Sequence, residues 1–453
     1  MTDKRLDIRQ DLQDFQDLQD KLLACIHCGL CLEACPTYVI TGNENDGPRG
    51  RLYLMRAVAE GRIEKTSNAF ATHIDRCLGC RACEQVCPAG VEYGQLLEAS
   101  REVLLNAQPK SDLANRVFRF VLRHVWLSPW RLQMFFGASR VFRDLGLARL
   151  LLKIGLMPRR AEFGMALLES SKGVSHAAAQ RRSGRRGSES VLMFKGCVGE
   201  GLFARVNRAT ERVLEANNFN VETPADQVCC GALHAHAGDL EGARELARKN
   251  IAAFDSEAPI VTNAGGCGAM LKTYGHLFGN DEKAIKFSAR VRDVSQQLAT
   301  TEMQTAPSPT EQNVTYDTSC HLMYGQGSGE ASERMLRSVT GKNFVPLNGT
   351  ERCCGAAGVY NLLQPEMSQR VLNEKLDHIK ETGAGILATG NPGCQMHIGA
   401  GACLSGMKLR VCHPIEIVDQ AYEAAGYCDP QSENTKYLRA DPDPDRYRGV
   451  RHT

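Results

Sequence analysis

The sequence lacks several features that would place the protein in common classes. No run of about 18 uncharged apolar residues occurs in the chain, so we expect no membrane-spanning helix. Residues 1–24 are highly charged and contain no apolar core, which argues against a secretory signal peptide. Lysine plus arginine (54) nearly balances aspartate plus glutamate (52), and this balance excludes wholesale binding of nucleic acid.

Nucleotide-binding and hydrolytic motifs are missing as well. The glycine pair Gly265-Gly266 stands beside a cysteine and does not form a G-x-G-x-x-G turn for phosphate. No Ser-His-Asp arrangement is readable along the chain. We therefore expect the chain to bind no flavin or NAD of its own.

Cysteine is the residue present in excess. The 453-residue chain has 19 cysteines, and their spacings are not those of a secreted disulfide scaffold. Hydrophobic residues at 43% and charged residues at 23% are typical of globular domains. We expect a cytoplasmic protein, because in a reducing compartment clustered cysteines bind metals or perform redox chemistry.

Two internal repeats contain most of these cysteines. In the first repeat, four cysteines and a proline recur 52 positions further along the chain. The two copies are Cys25-x₂-Cys28-x₂-Cys31-x₃-Cys35-Pro36 and Cys77-x₂-Cys80-x₂-Cys83-x₃-Cys87-Pro88. This spacing is the bacterial ferredoxin run of cluster ligands, and it predicts two [4Fe–4S] clusters.

The same spacing predicts how the ligands are shared. Three closely spaced cysteines surround one cluster, whereas the fourth cysteine of each run reaches the other cluster. The predicted sets are Cys25, Cys28, Cys31 and Cys87 for the first cluster, and Cys77, Cys80, Cys83 and Cys35 for the second. The alternative is a pair of structural zinc sites, but those usually combine two separated Cys-x₂-Cys knuckles.

The second repeat is about 125 residues long and again carries cysteines in register. Its copies are Cys197, Cys229-Cys230-Gly231 and Cys267, then Cys320, Cys353-Cys354-Gly355 and Cys394. Predicted strands near 191–194, 221 and 259–263, and near 314–316, 344–345 and 386–389, alternate with helical patterns. This alternation predicts parallel sheets with the cysteines just past the carboxyl ends of the strands.

Adjacent cysteines limit the chemistry of the second repeat. Neighbouring Cα atoms are about 3.8 Å apart, whereas unstrained disulfides need roughly 4.4–6.8 Å. The Cys229–Cys230 and Cys353–Cys354 pairs therefore suit two ligands of a metal cluster or a strained redox switch. Buried, inert cysteine is the third alternative.

The second repeat resembles the cysteine-rich "CCG" domain of heterodisulfide reductase subunits and related iron–sulfur oxidoreductases. The resemblance implies a cluster or a thiol redox site in each unit. The family pattern ends in Cys-x-x-Cys, but this chain has Met270 and His397 at the last position. A further cluster in this region is therefore an open alternative, with His397 as a substitute ligand or as a hydrogen-bonded histidine.

The complete order of motifs resembles the iron–sulfur subunits of bacterial glycolate oxidase. The segments that carry the resemblance are Asp46-Gly-Pro-Arg-Gly-Arg-Leu-Tyr53, Gly266-Cys267-Gly268-Ala269, Asn391-Pro-Gly-Cys394-Gln-Met-His397 and Ile415-Glu-Ile-Val418. The resemblance implies that a separate flavin-binding dehydrogenase subunit oxidises glycolate. This chain would then pass the electrons to a membrane acceptor such as a quinone. Related subunits serve D-lactate or glycerol 3-phosphate, and a thiol–disulfide reductase is a further alternative.

The expected architecture is a multidomain α+β chain. It comprises a helical two-cluster ferredoxin-type domain at 1–105, a basic helical spacer at 106–171, a linker at 172–190, CCG domains at 191–312 and 313–428, and a disordered tail at 429–453. Between 113 and 160 the spacer has ten basic residues and one acid. Its alternatives are contact with the inner face of the cell membrane, contact with a partner subunit, or a solvated hairpin.

Overall fold

The computed structural model describes residues 20–107, 113–173, 187, 189–279 and 281–427. The tail predicted at 429–453, Cys428 and most of the linker predicted at 172–190 lie outside the described residues. The remainder follows the predicted order of a helical amino-terminal region, a helical spacer and two α/β units.

The amino-terminal region is helical and has a small core of its own. Its α-helices are Pro36–Thr41, Pro48–Ala59, Asn68–Asp75, Ala82–Gln85 and Tyr93–Ala107. Pro36 and Pro48 begin their helices, where the missing N–H has no intrahelical partner to lose. Phe70, Ile74 and Leu96 are almost fully buried beside several of the cysteines. This core therefore holds the two cysteine motifs against each other.

The spacer consists of α-helices and one π-helical turn, which confirms its predicted helical character. The α-helices are Leu113–Val121, Pro129–Asp144, Leu147–Ile154 and Arg159–Ser170, and the π-helical turn is Leu122–Trp126. The spacer packs on both α/β units. Phe136 lies so close to Gly201 of the first unit that a Cβ there would be 2.5 Å from its ring. Ser170 donates a hydrogen bond to the carbonyl oxygen of Met396 in the second unit, at 2.9 Å.

Each α/β unit contains a four-stranded, fully parallel sheet. The strands of the first unit are β1 Glu189–Phe194, β2 Phe219–Glu222, β3 Ile260–Thr262 and β4 Val291–Asp293, in the order β2-β1-β3-β4. Those of the second are β5 Val314–Asp317, β6 Phe344–Val345, β7 Ile386–Thr389 and β8 Arg410–Cys412, in the order β6-β5-β7-β8. The repeat in the sequence is thus a repeat of topology, and the predicted duplicated α/β architecture is confirmed.

The fourth strand of each sheet is absent from the sequence-based prediction. Strands β4 and β8 have three residues each and contain Arg292 and Arg410. A charged residue in so short a segment removes the apolar run by which buried parallel strands are identified. The pairing with β3 and β7 forms these strands despite their weak local signal.

Helices cover both sheets. In the first unit they are Cys197–Leu202, Ala204–Ala216, Ala232–His236, Leu240–Ala253, Gly265–Lys272, Tyr274–Leu277, Glu282–Ala289 and Val294–Leu298. In the second they are Gly329–Thr340, Tyr360–Leu363, Pro365–Glu381, Pro392–Leu404 and Pro414–Ala424, with a π-helical turn at His321–Gly325. Within the described ranges, no helix combines the length and apolar composition needed to cross a bilayer.

One apolar core joins the two units. Val191 and Met193 of the first sheet share it with Val314 and Ile415 of the second unit, and all four side chains are buried. An ion pair between Arg205 and Glu416, with N and O 2.8 Å apart, lies at the same interface. Because the units share a core, their cysteine-bearing edges are held in a fixed relation.

Candidate metal centres

The first cysteine-lined cavity lies near the surface of the amino-terminal region. Cys25, Cys28, Cys31 and Cys87 line it. Cys28 is exposed, and the other three are partly buried. The fourth cysteine of the second motif therefore joins the first three of the first motif, the arrangement that the spacing predicts.

The second cavity lies deeper. Cys35, Cys77, Cys80 and Cys83 line it, and all four are buried. Cys83 also lines the first cavity, so the two cavities are immediate neighbours. The pairing of motifs is again crossed, since Cys35 comes from the first motif and the other three come from the second.

Tight turns and hydrogen bonds orient the sulfur atoms. Gly29 and Gly79 have φ angles of 86° and 65°, a region that glycine adopts without a steric cost. The N–H of Gly79 donates to the sulfur of Cys77 at 3.4 Å. The hydroxyl of Tyr93 donates to the same sulfur at 3.6 Å. Donors at a sulfur favour its thiolate form and tune a bound cluster.

A buried arginine lies behind the second cavity. Arg51 donates from Nη1 to the sulfur of Cys35 at 3.8 Å and from Nη2 to the hydroxyl of Thr37 at 2.9 Å. Its Nε donates to the carbonyl oxygen of His73 at 2.7 Å. The cation thus contacts one predicted ligand directly and is held there by neutral acceptors.

Asp46 supplies the counter-charge of this arginine. Its carboxylate is fully buried and lies 4.0 Å from the guanidinium of Arg51. The same carboxylate accepts from Arg76 at 3.1 Å and contacts Nδ1 of His73 at 2.7 Å. The carboxylate therefore has three basic partners, which offsets the cost of burying its charge.

Positive charge lowers the pKa of Cys77. Burial of this thiol opposes ionisation, but the guanidinium groups of Arg51 and Arg101 outweigh burial, and the pKa lies below its ordinary value. Arg101 also donates to the carbonyl oxygen of Cys77 at 2.7 Å. Neither arginine is identified as a site residue from the sequence. In the sequence, only the segment from Asp46 to Tyr53, which carries part of the family resemblance, could have pointed to Arg51.

The donor sets fit iron–sulfur clusters. Each cavity is lined by all four cysteines of its predicted ligand set, and cysteine sulfurs are the soft ligands that hold [4Fe–4S] clusters. Basic side chains beside the second cavity compensate the negative charge of thiolates. Among the described residues, no three His, Cys, Asp or Glu side chains converge closely enough to ligate a single bare metal ion.

The first α/β unit assembles its own cysteines at one edge of the sheet. Cys197 follows β1, Cys229 and Cys230 follow β2, and Cys267 follows β3, so parallel strands deliver all four to the carboxyl edge. The sulfurs of Cys197 and Cys229 are 3.4 Å apart. The sulfur of Cys230 in turn contacts that of Cys267. The four predicted positions thus form a continuous group.

The second unit repeats this arrangement. The sulfurs of Cys320 and Cys353 are 4.0 Å apart, and the sulfur of Cys354 contacts that of Cys394. The side-chain amide of Asn391 donates to the sulfur of Cys394 at 3.4 Å. Both units therefore bring four cysteine sulfurs together in the same order.

The cysteine thiols of the two units resist ionisation when no metal compensates their charge. The contact with Cys229 and burial raise the pKa of Cys197 well above its ordinary value. The contact with Cys353 and burial do the same for the pKa of Cys320. Buried thiols of this kind ionise when a metal compensates their charge, or they exchange electrons as disulfides. The geometry is compatible with both roles.

The residues that replace the last cysteine of the family pattern are both buried. Met270 is an apolar core residue of the first unit. The ring nitrogens of His397 are both engaged, Nδ1 with the amide of Asn361 at 3.2 Å and Nε2 with the hydroxyl of Ser368 at 3.3 Å. Burial lowers the pKa of His397 to about 3, so its ring is neutral. This geometry favours the hydrogen-bonded alternative for His397.

The second cavity adjoins the cysteines of the second unit. Cys80 shares one apolar cluster with Cys353, and Cys320 packs against the same cluster. The hydroxyl of Tyr360 donates to the carbonyl oxygen of Arg76 at 2.8 Å and fastens the two regions together. The sequence does not predict this contact, because the contacting residues lie far apart along the chain.

Trp126 joins the spacer to the cysteines of the first unit. Its indole packs on the core that contains Cys229 and Cys230, and it lies against Cys197. The indole N–H is buried and makes no hydrogen bond of good geometry within the described part of the chain. The sequence identified Trp126 only as part of the basic spacer and did not predict its contact with a group of cysteine sulfurs.

Two family models match the chain. The 4Fe-4S dicluster domain matches residues 21–91, and the cysteine-rich domain named CCG matches residues 191–272 and 314–399. The matched segments are those that carry the two cysteine repeats. Iron–sulfur clusters are therefore the cofactors that both the donor sets and the family models support.

Two glycolate oxidase iron–sulfur subunits are similar to nearly the whole chain, and a third relative is similar to about half of it. The probable glycolate oxidase iron-sulfur subunit of Bacillus subtilis is 35% identical over 440 residues, which is 93% of this chain and 98% of the relative. The glycolate oxidase iron-sulfur subunit of Escherichia coli is 33% identical over 413 residues, 89% of this chain and 94% of the relative. Lactate utilization protein A of Oceanobacillus iheyensis is 34% identical over 234 residues, 51% of this chain and 96% of the relative.

Proposed function

Because the chain belongs to the family of glycolate oxidase iron–sulfur subunits, we propose that it carries electrons from a flavin-binding dehydrogenase subunit to a membrane acceptor such as a quinone. The observation that carries the proposal is the pair of adjacent cysteine-lined cavities with crossed motifs. When bound, a [4Fe–4S] cluster accepts and releases one electron at a time. Two such sites side by side suit electron transfer between partners.

The two cavities differ in exposure, and this difference gives the proposed path a direction. Cys28 lies at the surface, with Ile26 (68% exposed) and Leu30 (59% exposed) in the same loop. Exposed apolar side chains around a redox site are typical of a docking surface. We assign the exposed cavity, held by Cys25, Cys28, Cys31 and Cys87, to the side that receives electrons from the flavin subunit.

The buried cavity is the proposed second site, held by Cys35, Cys77, Cys80 and Cys83. Arg51 and Arg101 keep positive charge beside it, which favours a reduced, more negative centre. Its contact with Cys320 and Cys353 makes the second unit the next redox-active group along the path. The cysteine groups of the two units are proposed sites for a further cluster.

The proposed site of action is the cytoplasmic face of the cell membrane, where a quinone acceptor is dissolved. Exposed apolar and basic side chains of the spacer support peripheral contact with the bilayer. The flavin chemistry belongs to the partner, so substrate binding and oxidation take place outside this chain.

The test uses the full chain in complex with its flavin-binding subunit, purified without oxygen. We expect that the chain alone does not oxidise glycolate and that the complex reduces a water-soluble quinone. In a complex with Cys80→Ser, glycolate still reduces the flavin but quinone reduction is lost. Cys403→Ala, which removes a cysteine outside both repeats, is the matched control and leaves the rate unchanged. Oxidation of glycolate by the chain alone, or undiminished quinone reduction with Cys80→Ser, contradicts the proposal.

The substrate of the complex is tested in the same assay. Glycolate is the proposed 2-hydroxy acid because two relatives matched along most of the chain carry that name. D-lactate and glycerol 3-phosphate are the alternatives, and a lactate utilization protein is among the relatives. If kcat/KM were higher with D-lactate or glycerol 3-phosphate than with glycolate, that compound would replace glycolate as the proposed substrate. The proposed electron path would still stand.

A second candidate function is thiol–disulfide reduction at the second repeat. The observation that favours it is the close approach of Cys197 to Cys229 and of Cys320 to Cys353. The reduced full chain would then reduce a disulfide, and Cys353→Ser would abolish turnover. Absence of disulfide turnover, together with intact electron transfer to quinone, rejects this candidate.

A further inference from the structure

The spacer has an unusually apolar exposed surface. Twelve of the nineteen exposed large hydrophobic side chains in the described residues lie between 113 and 156. They are Leu113, Val117, Phe120, Trp130, Met134, Phe135, Val141, Leu145, Leu147, Leu150, Ile154 and Leu156. We call this set the spacer surface. A solvated helical hairpin would direct such side chains inward, so this surface is suited to contact with another phase or molecule.

The exposed apolar positions recur at helical spacing. On helix Leu113–Val121 they are Leu113, Val117 and Phe120, and on helix Leu147–Ile154 they are Leu147, Leu150 and Ile154. The opposite side of the latter helix is buried against the protein through Ala148 and Leu152. Helix Leu113–Val121 has no buried residue at all, so its apolar side is not covered by the rest of the described chain.

The charge of the same segment is strongly positive. Ten lysine and arginine residues and a single acid, Asp144, lie between 113 and 160. The acid is already paired with Arg143, whose Nε is 2.9 Å from its carboxylate. Arg123, Arg140 and Lys153 are exposed. Positive charge therefore predominates on this surface, which is complementary to an anionic partner.

An anionic lipid surface meets both requirements. Acyl chains accept the apolar side chains, while lipid phosphates accept arginine and lysine, whose long side chains reach the headgroups. Trp130 is 59% exposed, and the guanidinium of Arg131 lies 5.2 Å from the centre of its ring. Tryptophan beside arginine is suited to the headgroup region, where one side is apolar and the other is wet.

The spacer surface lies in the same segment as residues that contact the cysteine group of the first unit. Trp126 and Leu127 belong to the same segment and pack on the core that contains Cys229 and Cys230. Cys197 begins the helix against which Pro129–Asp144 packs, with Phe136 over Gly201. A molecule that covers the spacer surface therefore lies beside the cysteines of the first unit.

We propose that the spacer surface binds the headgroup region of an anionic bilayer and thereby holds the cysteine group of the first unit next to the membrane. Only one consequence of the proposal rests on the proposed function: that a quinone dissolved in the bilayer receives electrons on this side of the protein. Binding itself requires only apolar burial and charge complementarity. A docked partner protein is the competing occupant, and the experiment separates the two.

Binding is measured by co-sedimentation of the purified full chain with vesicles of phosphatidylglycerol or of phosphatidylcholine. We expect binding to the former, a decrease with added salt, and weak binding to the latter. Phe120→Glu with Leu150→Glu, two exposed positions, should abolish binding without loss of iron. Arg123→Gln with Arg140→Gln should weaken binding by about fivefold for each charge removed. Ile285→Glu, an exposed apolar position of the first unit, is the matched control and should bind normally.

Trp130 gives a second readout. The chain has two tryptophans, so Trp126→Phe leaves Trp130 alone, and its emission should shift to the blue when phosphatidylglycerol vesicles are added. Absence of binding to phosphatidylglycerol vesicles overturns the proposal. The proposal is also overturned if the Phe120→Glu, Leu150→Glu variant still binds vesicles but no longer binds the flavin subunit. Failure of the wild-type complex to reduce a soluble quinone would instead overturn the proposed function and leave vesicle binding standing.

Discussion

Arg51 donates a hydrogen bond to the sulfur of Cys35, with Nη1 and Sγ 3.8 Å apart, from a side chain that is 1% exposed. The contact ties helix Pro48–Ala59 to the last cysteine of the first motif. Because the buried guanidinium is compensated by Asp46, the cation and the predicted cluster ligand form one electrostatic unit. Loss of Arg51 therefore weakens the compensation of the buried charge on Asp46 and on the cysteine sulfurs.

Arg51→Met should strongly destabilise the amino-terminal region. Removing the cation takes from Asp46 and from the cysteines of the buried cavity their only fully buried positive neighbour among the described residues, and the cost is about 3–5 kcal/mol of unfolding free energy. Iron content should fall with it. Arg56→Gln on the same helix removes an exposed pair with Glu60 and should cost less than about 1 kcal/mol. Equal melting temperatures for the two variants would contradict the role given to Arg51.

Crossed ligand sharing predicts which cysteine variants resemble one another. Cys87→Ser should remove about four irons and leave the same remaining electron paramagnetic resonance signal as Cys28→Ser, although these cysteines come from different motifs. Cys35→Ser should instead resemble Cys80→Ser. If Cys87→Ser matched Cys80→Ser, the ligand sets would be uncrossed.

Lys375 and Asp317 form a buried ion pair beside the second unit's cysteines, with Nζ and Oδ1 2.8 Å apart and both side chains at most 2% exposed. Lys375→Met should lower the free energy of unfolding by about 3–5 kcal/mol, since it leaves the carboxylate of Asp317 buried without its charged partner. The double variant with Asp317→Asn should recover about half of that loss. Chemical denaturation measures both, and Lys286→Met, which removes an exposed pair with Glu282, is the control with little effect. An additive double variant would contradict the coupling.

Much of the cysteine arrangement could be predicted from the sequence, because the spacing within each motif is a local property. The crossed sets, the two α/β units and the position of cysteines past the strands were all readable from motifs and apolar runs. Strands β4 and β8 were not, since their short, charged segments depend on pairing with a neighbour. The contact of Cys80 with Cys353 and the place of Trp126 arise from packing between distant segments, for which one sequence carries no signal.

His413 should make stability depend on pH. Its Nδ1 accepts the N–H of Ile415, its Nε2 donates to the carbonyl oxygen of Asn263, and burial lowers its pKa to about 4. The unfolded chain binds a proton near pH 6.5, whereas the folded chain does not. Stability is therefore full above that pH and falls by about 1.4 kcal/mol per pH unit as pH drops towards 4.

The measurement for His413 is the free energy of urea unfolding between pH 7.5 and pH 5.5. His413→Asn keeps a side chain that caps the helix but does not titrate. Its pH dependence should be shallower than that of the wild type by about one proton. His276→Gln, at an exposed position, should leave the slope unchanged. An identical slope for His413→Asn and the wild type would show that His413 binds its proton as readily in the folded state as in the unfolded state, and would contradict the lowered pKa.

The most direct test of the two-cluster assignment is electron paramagnetic resonance of the anaerobically purified full chain after reduction with dithionite, combined with iron analysis. We expect about eight irons per chain in the amino-terminal sites and a signal broadened by interaction between two reduced clusters, because Cys83 lines both cavities. A chain that contains zinc in place of iron, or that gives no paramagnetic iron signal on reduction, would contradict it.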